Sequence, residues 1–151
     1  MEENFDNAKD ELKRADHLIY VSLKYTRTCD IFKSIIERLI NSIEFILDAL
    51  MRKLEEDGKL DEIPKQPIAK YNTRKDNYDD ETIKEMADLY IRLRHISRSP
   101  FERAREFRRH VTMTVDLGEE KIEVNIDNIT EYYKTVKNYF EYSEKLVKGE
   151  V

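Results

Sequence analysis

At 151 residues the chain is long enough for one domain with its own core, and it carries only three glycines, three prolines and one cysteine. The lone Cys29 excludes an internal disulfide framework, and a net charge of −5 argues against a protein that coats duplex DNA without sequence preference. No apolar run approaches the roughly 18 residues that suggest a membrane span, and the acidic start Met1-Glu2-Glu3-Asn4 is no secretory signal, so a cytoplasmic protein without a membrane partner is expected.

Phe5, Ala8, Leu12, Ala15 and Ile19 recur at helical spacing and predict a first helix running to about Tyr25. Thr26-Arg27-Thr28 interrupts it, and Thr28 or Asp30 can cap a second helix. That helix carries an apolar stripe too wide for one contact face, from Ile31, Phe32, Ile35 and Ile36 through Leu39, Ile43 and Leu47 to Leu54. It reads as a central helix ended by Gly58. The polar stretch 59–79, with Pro64, Pro67, Lys65, Lys70, Arg74 and Lys75, reads as a disordered connector or, less simply, a lid over a substrate.

Asp80 can cap a third helix through Ile83, Met86, Ala87, Tyr90 and Leu93 to about Ser97. Ser99-Pro100-Phe101-Glu102 then has the form of a capping box with proline at the first helical position, which predicts a short fourth helix bearing Arg103 to His110. From Val111 the period becomes two. Val111, Met113, Val115 and Leu117 face one way, and Ile122, Val124 and Ile126 match them beyond Gly118-Glu119-Glu120, a β-hairpin pattern. Asn128 and Glu131 predict the start of the last helix, and Gly149 its end. The expected fold is therefore one mainly α domain over 1–151, a bundle of four or five helices with one β-hairpin before the last.

Between Arg92 and Arg109 lie seven arginines, no lysine and only two acids, Glu102 and Glu106, a local charge of +5 within an acidic protein. Arginine presents a rigid fork that grips phosphate or carboxylate at two points. One reading is convergence of Arg98, Arg103, Arg108 and Arg109 on an anion. The other is an ion-pair network with acidic segments such as Glu55-Glu56-Asp57 and Asp79-Asp80-Glu81.

Within the segment, Arg105-Glu106-Phe107-Arg108-Arg109-His110 resembles the Arg-x4–6-His motif of HEPN domains, helical proteins found among prokaryotic RNases and toxins. The resemblance implies metal-independent RNA cleavage, often across a dimer interface. Arg105 would stabilise charge developing on phosphate, and His110 would move a proton at the attacking or leaving oxygen. On a helix Arg103, seven residues before His110, would align with it better than Arg105, which would sit about 140° away. The toxin branch often carries tyrosine two residues after the histidine, where this chain has Thr112.

His17 and His95 lack partners at metal-ligand spacing, and no glycine-rich phosphate loop is present, so neither a metal nor a cofactor is expected. Cys29 suits a buried core position. Tyr132, Tyr133, Tyr139 and Tyr142 could stack bases beside Lys134 and Lys137, with Tyr142 the most exposed, or could be core. The functional expectation is a HEPN-like protein that binds RNA or a nucleotide, with RNase activity or without it. The competing expectation is a non-catalytic oligomeric scaffold. Either forms a homodimer, on the premise that one small bundle cannot hide all of its apolar surface.

Overall fold

A computed structural model describes residues 1–58 and 80–149. The connector 59–79, whether lid or disordered link, lies outside the described residues. Helix α1 (Glu2–His17) runs on through a π-helical turn, Leu18–Ser22, into the short α2 (Leu23–Tyr25). Then come α3 (Cys29–Glu56), α4 (Glu81–Arg98), β1 (Phe101–Ala104), β2 (Thr112–Asp116), β3 (Lys121–Val124) and α5 (Ile126–Val147). The fold is mainly α, with a small antiparallel sheet before the last helix.

The wide stripe makes α3 the centre of the bundle. Phe32, Ile35, Leu39, Ile43, Ile46 and Leu50 are completely buried, against α1 on one side and α4 and α5 on the others. Specific pairs set the helix directions. The Ser42 hydroxyl donates to the Ala8 carbonyl at 3.0 Å, and Arg38 pairs with Glu11 at 3.2 Å, so α3 runs antiparallel to α1. The buried Tyr90 hydroxyl donates to Glu44 at 2.7 Å, and Arg94 reaches the same carboxylate at 3.4 Å, which fixes α4 against α3. Burial, and then the Glu44 carboxylate, push the Tyr90 phenol well above its ordinary range. Tyr133 donates to Asp16 at 2.8 Å, and Phe140 meets Phe5 edge-on, so α5 lies antiparallel to α1. Helix directions thus alternate along the chain. The C-terminal ends of α2 and α4 and the N-terminal ends of α3 and α5 all gather at one end of the bundle, and the sheet caps that end.

The predicted hairpin is present. Met113 lies opposite Val124 and Val115 opposite Ile122, and Val111, Met113, Val115 and Val124 are buried. Its turn uses Gly118 at φ +94°, a conformation a side chain would strain. The sheet has a third strand that the sequence reading assigned to a helix. β1 pairs antiparallel with β2, Phe101 opposite Val115 and Arg103 opposite Met113.

The predicted helix at 103–110 is therefore absent. Ser99 is not an N-cap: it ends α4 in an extended conformation, and its hydroxyl bonds back to the His95 carbonyl at 2.6 Å. Proline disfavours α geometry in the residue before it, so Ser-Pro is equally the signature of a chain leaving a helix. Beyond it, Arg105 would stack with Arg108 and Arg109 at like-charge helical spacing. Pairing with β2 prevails over the local signal.

The last helix also starts three residues earlier than predicted. Asn125 caps it, accepting from the Asn128 amide at 2.9 Å, while the Asn128 side chain accepts from the Asn125 amide at 2.8 Å. Asn128 does the job usually done by glutamate or glutamine in a capping box. Asn125→Ala should therefore cost about 1 kcal/mol in chemical denaturation, whereas Glu131→Ala, which removes no cap, should cost nothing measurable.

The premise for a dimer does not hold for these faces, since the apolar faces of the hairpin and of α3 are buried in their own bundle. Among the described residues the large apolar side chains left exposed are Tyr20, Val21, Tyr25 and Phe107. No helix is long and apolar enough to cross a membrane among them.

Candidate functional site

The seven arginines divide by position. Arg92 pairs with Glu120 at 3.1 Å across to the hairpin turn, and Arg94 is held by Glu44. Arg103 reaches Asp30 at 2.9 Å and Glu106 at 3.4 Å, and its guanidinium lies 5.0 Å from the Phe101 ring centre. The hydrogen bond from Arg103 holds the Asp30 carboxyl below its usual range and raises Arg103 in turn. These three arginines hold elements of the fold together. Arg98 lines a separate hollow with Glu37, Ile40 and Arg94, and Arg108 is exposed on the loop.

Arg105, Arg109 and His110 do converge. They line a cleft of about 530 Å³ together with Arg27, Thr112, Glu123 and residues 125–127 at the start of α5. Among the described residues none of Arg27, Arg105 and Arg109 has an ion-pair partner, and the Arg27 Nε is buried without a hydrogen-bond acceptor. The first-turn amides of α5 add the positive end of a long helix. Glu123 and Asp127 supply two carboxylates, so the cleft is not uniformly cationic.

The loop 105–110 between β1 and β2 brings these groups together, and it is tied down from several directions. The Phe107 amide donates to the Arg27 carbonyl at 2.6 Å. The Glu106 carboxylate accepts from the Cys29 amide at 3.1 Å, in the first turn of α3, where Thr28 makes no side-chain cap. The Cys29 thiol, buried as expected, lies 3.4 Å from the Thr112 carbonyl, and burial, reinforced by the Glu106 charge, pushes it above its ordinary range. The Thr112 hydroxyl donates to the His110 carbonyl at 2.9 Å and fixes the exit of the loop. Arg105 and Phe107 have left-handed backbones, at φ +55° and +66°. For non-glycine residues, and a bulky phenylalanine above all, that conformation persists only where surroundings enforce it.

The loop changes the geometry expected of the motif. The 140° separation of Arg105 and His110 belongs to a helix that is not there, and both side chains line the same cleft. Arg103, the better match on a helix, is instead on a strand and engaged with Asp30. The tyrosines of the last helix are not a stacking platform: Tyr133 is buried, Tyr132 and Tyr139 pack against the core, and Tyr142 is half-buried with its hydroxyl on Asp80. Sequence reasoning missed Arg27, Glu123 and Asp127, which stand far from the motif in the chain. The one signal for Arg27 was its place in the break between two helices.

No family model, curated protein or solved structure matches this chain.

Proposed function

We propose that the arginine-lined cleft at the capped end of the bundle binds RNA or a nucleotide through its phosphates and cleaves RNA without a metal, as the resemblance to HEPN domains implies. The observation that carries this reading is the sorting of the arginines. Arg92, Arg94 and Arg103 are engaged with carboxylates, whereas Arg27, Arg105 and Arg109 face one cleft beside His110 with no ion-pair partner among the described residues. Leaving several cations together in an open cleft costs mutual repulsion, which a bound phosphate would relieve.

The chemistry asked of the site is an in-line attack. A 2′-oxygen gives up its proton to a base and bonds the adjacent phosphorus, the bond to the 5′-oxygen breaks, and that oxygen takes a proton from an acid. The cleft offers carboxylates in Glu123 and Asp127 and an imidazole in His110 for the two proton transfers, with Arg105 and Arg109 for the charge on the phosphate. A scaffold role has support of its own in the three engaged arginines, and the two readings separate by experiment. Titration of a labelled RNA pool in EDTA at increasing salt should show binding that weakens steeply, with Arg105→Ala reducing the slope by roughly one unit. Wild-type protein that neither binds nor cleaves at low salt leaves the scaffold reading in its place.

A further inference from the structure

In sequence Phe107 lies between the two cleft arginines of its loop, and the residue is 74% exposed. Its backbone is left-handed and its amide is fastened to the Arg27 carbonyl. Glycine or asparagine would satisfy that φ with less strain, and a polar side chain would satisfy the exposure. The ring is thus held out in water by a loop that has every backbone reason to carry another residue. Tyr25, 83% exposed, precedes Arg27 by two residues at the same end of the bundle. Cations for the phosphate backbone beside an exposed aromatic ring are what single-stranded nucleic acid requires, because every base has a face that can stack. A paired base offers that face only when it is unstacked.

Resting on the reading of the cleft as a phosphate site, we propose that Phe107 is a stacking platform for an unpaired base, so that the substrate class is single-stranded RNA rather than duplex. The phosphate next to the stacked base lies on Arg105 and Arg109. The arginines then set the salt dependence, and the ring sets the preference for single strands.

The chain has no tryptophan, so Phe107→Trp introduces one reporter at the proposed contact. Anisotropy titrations would compare a labelled single-stranded RNA with its duplex, using wild type, Phe107→Ala, Phe107→Trp and Arg105→Ala, each checked for unchanged helicity. The expected results are three: Phe107→Ala weakens single-strand binding about 10- to 100-fold with an unchanged salt slope, duplex binding stays weak throughout, and single-stranded RNA quenches the Phe107→Trp emission. If wild type binds no RNA, the cleft reading fails and this proposal fails with it. If wild type binds and Arg105→Ala weakens it, while Phe107→Ala binds as wild type or duplex binds as well as single strand, stacking is overturned and the phosphate site stands. Light scattering in which Phe107→Ala turns a dimer into a monomer assigns the ring to a protein contact and also overturns the proposal.

Discussion

Alanine at position 110 is expected to slow metal-independent RNA cleavage by about 10²- to 10⁴-fold, the usual contribution of a positioned acid or base, and to leave stability unchanged. His110 is exposed, and its side chain makes no hydrogen bond among the described residues, so the fold has little to lose with it. Binding should also persist, because Arg27, Arg105 and Arg109 remain. A variant that binds but does not cleave therefore separates proton transfer from phosphate recognition. His110→Ala should also flatten one limb of the pH–rate profile, a signature that a merely structural residue does not leave. Glu123→Gln and Asp127→Asn, assayed alongside, identify the carboxylate that acts as partner, since loss in one alone marks it. Cleavage within a few-fold of wild type in His110→Ala removes the imidazole from the chemistry.

What could be read from the chain beforehand follows from how local each signal is. The stripe runs nearly the whole length of α3, a helix of 28 residues, and a period sustained that long admits one interpretation. The hairpin likewise announced itself through the alternation from Val111 to Val124. Ser99-Pro100 misled because a cap and an exit from a helix use the same two residues, and what decided between them was β2, which lies beyond the loop. The site was half legible. Arg105, Arg109 and His110 lie within six residues of each other and could be picked out by density of charge. Arg27, Glu123 and Asp127 join them only through the packing of α3 and α5, and no spacing rule connects them. The motif's geometry was the least legible part, since its angles depended on whether 105–110 is a helix or a loop.

Glu106 joins fold and site, and Glu106→Ala is expected to damage both. Its carboxylate accepts from the Cys29 amide and from Arg103, and it places a negative charge at the N-terminal end of the longest helix. An orphan amide left without its acceptor, together with the lost helix-end charge, should cost about 2 kcal/mol. For a chain of this length that lowers Tm by roughly 4 to 8 °C. The loop loses one of its anchors at the same time, so Arg105 and His110 lose their fixed places although neither is altered. A small displacement of positioned groups costs about 10²-fold in rate, and cleavage should fall accordingly. Glu106→Gln keeps an acceptor oxygen without the charge and should recover most of the activity and part of the stability. Asp30→Ala is the matched control: it removes the other carboxylate partner of Arg103 and leaves the Cys29 amide capped, so cleavage should hold near wild type. Should Glu106→Ala melt and cleave like wild type, the loop is held by its other ties, the Phe107–Arg27 bond among them, and the link from Glu106 at the start of α3 to the cleft is broken.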